Sequence, residues 1–505
     1  MSFPSPSLPS QASPSPSFPI EESPSPSSLD QALPSKPMQR VAARLGDLWE
    51  SGGRRTARAL AATGSGALAS SVLSAVASKI LAAQAGPAAI ATLVTLQQVR
   101  QGALIAATVN GQTAVIQGAS SRTAQERREY VRTAALLFSI ATVLVCGGCV
   151  VFAGALRNIA GLGLFGKGVF GWIAVSVLFS SALIFVTSLL NAMGRIQTLA
   201  KVQIVSPLVL AVGMWPVARA VRQTLTGDGP GSLAMLAALA TGIAAAAAVW
   251  PLVAAWPQWK DWVRGPGSWW SRGAAQSFLS VSLAMFVSGG IATGALLMVR
   301  GRIISQQGLT AAGWFDAAWN ISMNHASLLL ASLQTYCLPL LARAQSAREQ
   351  SEHIRSVLLL AMPIAAVMIA AIALVKPWVV EMLYAPSFRP SAGLLRWTLL
   401  GDYLKIGSWI LSLPLLARAD MKAFLLLDTA AYATFAGVSI LLSRRIAGAE
   451  SAALGFVCMY GVHLVAAAAL ARWRCGIELE RSAVAVWCAG LAVVLLISGM
   501  TWNRI

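Results

Sequence analysis

The sequence predicts an all-α polytopic membrane protein: twelve core transmembrane helices in two six-helix lobes, with a thirteenth span at the C-terminus. Three observations predict it. Apolar stretches long enough to cross a bilayer recur from about Leu60 onward, and about 20 apolar residues in a helix span the hydrocarbon core. Of 505 residues, 56% are hydrophobic and only 11% charged, where a soluble domain carries about 25% charged residues. Mean hydropathy is +0.66.

Each element follows in turn. Residues 1–38 repeat Ser-Pro-Ser-Pro and hold too little apolar content to fold, so they are expected to be a disordered cytoplasmic tail. They contain no apolar core of the signal-peptide kind. Residues 39–59 form a basic juxtamembrane segment with Arg40, Arg44, Arg54, Arg55 and Arg58, expected on the inner leaflet. Predicted spans then run 60–84, 87–118, 131–154, 168–190, 200–220 and 231–255, making an N-terminal lobe of residues 60–255. The second lobe, 276–472, holds 276–299, 310–342, 355–384, 393–417, 422–443 and 451–472; the extra helix is 483–499.

Basic residues set orientation. Loops after even-numbered spans carry the larger share, as with Arg122, Arg127, Arg128 and Arg132. Loops after odd-numbered spans carry fewer, such as Arg157 with Lys167 and Arg300 with Arg302. The bias places the N-terminus in the cytoplasm. The same reading accounts for the formal charge of +19: basic loops fix topology and meet anionic lipid, and no nucleic-acid-binding motif competes. Cys146-Gly-Gly-Cys149 has C-x-x-C spacing, but mid-helix and without nearby histidines it reads as packing. No Walker A, H-E-x-x-H or G-x-S-x-G pattern is present. The expectation is a transporter rather than an enzyme, with no metal and no cofactor.

A weak internal repeat relates the halves. Lys79 precedes Gly86 near the end of the first span, and Arg302 precedes Gly308 after the seventh. An even number of helices separates them, which suggests a parallel six-plus-six repeat around a central cavity.

Polar groups inside apolar stretches mark the candidate site, because a charge facing lipid at mid-membrane costs about 2.5–3.5 kcal/mol. The candidates are Lys79, Arg100, Arg302, Asp316, His325, Asp402, Lys405 and Asp428. Arg100 lies in a stripe with Gln97, Gln98 and Gln101, read either as a cavity wall or as an interhelical network. Asp402 and Lys405 share one helical face, so they either neutralise each other or meet substrate or ion. Asp316, Asn320, Asn324 and His325 form a second polar line; His325 is either packed or able to carry a coupling proton. The cationic bias of Lys79, Arg100, Arg302 and Lys405 favours an anionic substrate, since phosphate oxygens accept charge-assisted hydrogen bonds.

Three blocks resemble a known family. They are Ser78-Lys-Ile-Leu-Ala through Gly86-Pro-Ala-Ala-Ile-Ala; Ala312-Gly-Trp-Phe-Asp-Ala-Ala-Trp-Asn-Ile-Ser322 with Tyr336-Cys-Leu-Pro-Leu340; and Leu383-Tyr through Phe388, Trp397, Gly401-Asp-Tyr-Leu-Lys-Ile-Gly-Ser-Trp-Ile410 and Ala417-Arg-Ala419. Together they resemble the Wzx-type lipid-linked oligosaccharide flippases of O-antigen and enterobacterial-common-antigen assembly, within the multidrug/oligosaccharidyl-lipid/polysaccharide exporter superfamily. The resemblance covers about residues 60–472. It implies two six-helix lobes, alternating access, and carriage of undecaprenyl-diphosphate-linked oligosaccharide to the outer leaflet of the bacterial inner membrane for surface polysaccharide (lipopolysaccharide) biosynthesis. Lys79, Asp402 and Lys405 are the charged residues inside its matching blocks, and Asp428 sits where the family tends to place an acid. With the polar inventory above, Lys79, Arg100, Gln97, Gln101, Arg302 and Lys405 are expected at the diphosphate and sugars, and Asp316, Asp402, Asp428 and His325 are the candidates for ion coupling. Implied partners are the polyprenyl-diphosphate-linked glycan, membrane lipids, and a polysaccharide polymerase with its chain-length regulator. A multidrug exporter, a peptidoglycan-precursor flippase and a non-transporting scaffold remain as rivals.

Overall fold

The computed structural model describes residues 36–120, 122–158, 166–226, 230–264, 268–418 and 420–501. The expected Pro/Ser tail lies outside these up to residue 35. Residues 1–60 form one unit, helical from Lys36; residues 61–505 form a second, which carries the membrane spans.

The helices are α1 Lys36–Ala107, α2 Gln112–Ser120, α3 Ala124–Val151, α4 Ala153–Arg157, α5 Lys167–Ala192, α6 Ile196–Thr226, α7 Pro230–Arg264, α8 Arg272–Arg343, α9 Ala347–Leu374, α10 Lys376–Leu383, α11 Ser391–Ala417, α12 Met421–Leu442, α13 Gly448–Cys475 and α14 Arg481–Met500. Local chemistry sets several ends. The side chains of Ser271, Ser346 and Asp420 accept from backbone amides in the first turns of α8, α9 and α12, meeting donors that have no partner within the helix. Gly476 closes α13 in the left-handed conformation, φ 67°.

Eleven of the described helices are long and apolar enough to cross a membrane. Two of them fold back on themselves. Arg300 and Asp316 lie eight residues either side of Gly308 and form an ion pair. In one straight helix they would stand about 24 Å apart, so α8 reverses at Gly308. That glycine has φ 80° and ψ −179°, a region open essentially to glycine alone. Gly86 in α1 has nearly the same backbone, φ 73° and ψ −170°. The two hairpins turn the eleven helices into thirteen passes, the number the hydropathy pattern predicts.

Two expectations are corrected. Hydropathy ends the seventh span at 299 and leaves Arg300 in an outer loop; helix α8 instead continues to the hairpin and buries Arg300 at 2% exposure. Hydropathy also makes the second span continuous over 87–118. It breaks between α1 and α2, where Val109 and Asn110 take φ of 49° and 46°. The Asn110 amide there donates to the Met285 carbonyl at 2.7 Å, and Gly111 lies against the Phe278 ring.

Helices α3, α5, α6 and α7 pack together, as do α8, α9, α11, α12 and α13. Along α1 and α8 the two sets meet: a side chain added at Gly102 would touch Thr293, and Arg300 donates to Gln98. Helix α11 is the most enclosed span among the described residues. Large apolar side chains such as Val143, Val212, Val367 and Val465 point outward on other helices; in a bilayer those faces meet lipid tails of the same polarity.

Candidate functional site

The buried polar groups concentrate where the second limb of α8 faces α11. Ser322 and His325 are three apart on α8, and Asp402 and Lys405 three apart on α11, so each pair presents one helical face. Asp402 is fully buried; its Oδ1 accepts from the Ser322 hydroxyl at 2.8 Å. Its Oδ2 faces His325 Nε2 at 3.4 Å. The other ring nitrogen, Nδ1, lies 2.8 Å from the Ile321 carbonyl. Lys405, 6% exposed, extends past this pair: its ammonium donates to Met323 Sδ at 3.1 Å and lies 5.7 Å from the centre of the Tyr460 ring on α13. No ion pair joins Asp402 to Lys405 among the described residues. The two charges still act on each other across the helical face they share, and Asp402 adds a contact to His325 between helices.

Nearer the hairpin, Arg300 pairs with Asp316 and donates to Gln98 Oε1 at 2.8 Å. Both charges are buried, at 2% exposure each. Asp428 on α12 accepts from Ser288 of α8 at 2.6 Å. Cations at the hairpin end reach α10 and the C-terminal end of α12. Lys79 donates to the Glu381 carbonyl at 2.6 Å, and Arg302 donates to the Ser443 hydroxyl at 3.0 Å.

Arg100 belongs to a different place. Its guanidinium donates to Ser180 of α5 at 2.9 Å. With Gln97, Ser176, Thr241 and Met214 it lines a cavity of about 120 Å³ between α1, α5, α6 and α7. Among the described residues no carboxylate pairs with it. A guanidinium in a low-dielectric cavity without a counter-charge favours an anion there.

No family model matches the sequence. The Lipid III flippases of Escherichia coli strain K12 and Shigella flexneri are each 23% identical over 163 residues, 32% of this chain. The chain spans 39% of the length of these curated relatives. Two solved structures match at TM-score 0.60. One is an inward-facing multidrug resistance MATE transporter of the MOP superfamily, 14% identical and covering 80% of this chain and 94% of its own. The other is the lipid II flippase MurJ in an inward closed conformation, 11% identical, covering 88% of this chain and 99% of its own. The chain has the all-α fold of the MATE and MurJ transporters.

Within that fold the expected site residues divide into separate groups. Asp402, Lys405 and His325 come together. Arg100 and Gln97 share the first-half cavity, while Gln101 is exposed and Gln98 turns to Arg300. Asp316 pairs with Arg300, Asp428 bonds Ser288, Lys79 the Glu381 carbonyl and Arg302 the Ser443 hydroxyl. Lys79, Arg100, Arg302 and Lys405 each bond to a different partner. Sequence reasoning missed Arg300, Ser322 and Tyr460 as members of the polar network. Arg300 had a legible signal: it and Asp316 stand symmetrically about a glycine.

Proposed function

We propose that this chain flips a polyprenyl-diphosphate-linked oligosaccharide from the inner to the outer leaflet of a bacterial inner membrane, for surface polysaccharide assembly. Two six-helix lobes, 60–255 and 276–472, rock about their contact to expose the path on alternate sides. The observation that carries this reading is Arg100: a cation with no carboxylate partner among the described residues, lining a cavity in the first half. Phosphate oxygens replace its lost hydration with charge-assisted hydrogen bonds. The polyprenyl tail stays in lipid throughout. The match to proteins called Lipid III flippase supports a lipid-linked cargo over a soluble one. On this reading the chain works as a transporter without a cofactor, its N-terminus cytoplasmic, beside a polysaccharide polymerase and chain-length regulator.

The test follows a labelled lipid-linked oligosaccharide across proteoliposomes. Wild-type protein accelerates its appearance in the opposite leaflet. Arg100→Ala returns the rate to that of empty vesicles, and Lys79→Ala lowers it, with both variants inserting normally. Transport of a cationic dye in place of the lipid supports multidrug export instead. Movement of neither by well-folded protein sinks the flippase reading in favour of a scaffold.

A further inference from the structure

We propose that the N-terminal half seats one anionic phospholipid of the inner leaflet, its acyl chain lying between α3 and α5 and its phosphate meeting Arg128 and Arg132.

The seat begins as a gap in packing. Helices α3 and α5 leave between them a cavity of about 310 Å³, bordered by Leu252 of α7 and, at one end, by Trp269. Its α3 wall is Arg132, Ala135, Ser139, Thr142 and Val143, a spacing of three and four that keeps them on one helical face. Leu178, Ala182 and Leu189 face them from α5. The polar groups deepest in the gap are already served within the protein. The Thr142 and Ser181 hydroxyls bond each other at 2.8 Å, and Thr142 donates to the Ala107 carbonyl at 3.3 Å. What remains is apolar wall without partner atoms, which forfeits dispersion contacts unless an apolar group fills it.

The length of the gap selects the kind of chain. From Arg132 to Val143 it follows α3 for about 16 Å, half of a hydrocarbon core of about 30 Å. It is therefore one leaflet deep, as an acyl chain is. A polyprenyl chain is longer than a leaflet and would leave most of its length outside.

One end of the gap carries charge. Arg132 is buried at 2% exposure, its guanidinium 5.3 Å from the centre of the Trp269 ring. Trp269 and Trp270 are exposed, the setting of indoles at a membrane–water interface. Arg128 is exposed one turn before Arg132 on the same face of α3. This is the end with Arg122 and Arg127, which the bias of the basic loops assigns to the cytoplasm, where anionic lipids present phosphate. Guanidinium groups take phosphate oxygens by charge-assisted hydrogen bonds. A larger cavity, of about 530 Å³ between α9 and α14, lacks this feature: residues such as Pro363, Val367 and Val493 line it, and no charged side chain does.

The lipid would brace two contacts. Thr133, beside Arg132, accepts from the Ser271 amide at 3.1 Å, and Ser271 caps α8. A chain seated against Trp269 therefore holds the entry to α8 onto α3. On α5, Ser181 faces this cavity while its neighbour Ser180 accepts from Arg100, so a single helix stands between the lipid and the Arg100 cavity. The seat itself does not depend on the transport reading.

Photolabelling tests it. Purified full-length protein is reconstituted in phosphatidylcholine vesicles holding a trace of phosphatidylglycerol with a diazirine in one acyl chain. After illumination, the label should fall on residues 139–143 and 178–182 at several times the yield at Val367 and Val465, which also point outward. Unlabelled phosphatidylglycerol should suppress it although phosphatidylcholine is in excess throughout. Arg128→Gln should raise the phosphatidylglycerol needed about fivefold, equivalent to about 1 kcal/mol. Ala182→Trp fills the gap, keeps both arginines and should abolish the label; if that variant fails to insert, the surface change at Arg128 carries the test. Even labelling over all outward-facing helices, or undiminished labelling in Ala182→Trp, means annular lipid only and overturns the seat. A diazirine phosphatidylcholine that labels the same residues equally well overturns the role of the arginines. Suppression by polyprenyl phosphate but not by phosphatidylglycerol overturns the phospholipid and gives the gap to a cargo tail.

Discussion

Arg300 and Asp316 illustrate how charge survives inside this membrane protein. Each is buried at 2% exposure, and each is tolerable because of the other. Removing one partner strands a charge in a low-dielectric interior, which costs about 3–5 kcal/mol, while replacing both with apolar groups is often neutral or stabilising. Arg300→Met should therefore sharply lower the unfolding temperature of the purified protein in detergent. Arg300→Met combined with Asp316→Leu should recover most of the loss. A single variant as stable as wild type would show that the pair contributes little. Residues of this kind also show what a sequence conveys at the smallest scale. Burial of Asp402 and Lys405 is legible, because charges in apolar spans have to face inward. Their partners are not. Spacing of three on α11 sets Lys405 beside Asp402, and their charges do interact; tertiary contact adds His325 and Ser322 from α8, and no local pattern encodes which neighbouring helix supplies a ligand.

At the scale of helices, the two glycine hairpins are the most readable feature and the most fragile. Gly86 and Gly308 are visible as a repeat of a cation followed by glycine, and both occupy a backbone region closed to other residues. Gly308→Ala should cost about 1–3 kcal/mol for that reason, read as a drop in unfolding temperature, even though open space surrounds the position. Gly294→Ala, within a helical stretch and equally uncrowded, is the control and should leave stability nearly unchanged. The same hairpin end brings Gly313 so close to the Pro87 carbonyl that a side chain there collides with backbone. Gly313→Val should therefore separate α1 from α8 at this end, raising accessibility of cysteines placed beside it. The break at Val109 and Asn110 is not legible in this way. An apolar run continues through it, and only the Asn110 contact with Met285, remote in sequence, reveals why the helix stops.

For the whole molecule, the count of passes decides on which side each loop lies. Hydropathy alone predicts thirteen, and the two reversals restore that number from eleven continuous helices. The thirteenth is integrated rather than appended: Tyr403 of α11 donates to the Trp487 carbonyl at 2.8 Å, and buried Lys376 donates to the Thr501 carbonyl at the end of α14 at 2.8 Å. Tyr403 of the Gly-Asp-Tyr-Leu-Lys motif thus serves to seat α14. Thirteen crossings would leave the loops after α9 and α12 on opposite sides from their neighbours, and the bias of the basic loops predicts which side is inside. Single cysteines in a background lacking the native six test this directly. An impermeant thiol reagent applied to intact cells should label Ala447→Cys, between α12 and α13, and spare Gln345→Cys and Glu478→Cys. All three positions are exposed loop residues, so protection reports the membrane rather than packing. Labelling of Gln345→Cys from outside would invert the orientation. Equal labelling of Ala447→Cys and Glu478→Cys would remove α13 from the set of crossings and with it the odd parity.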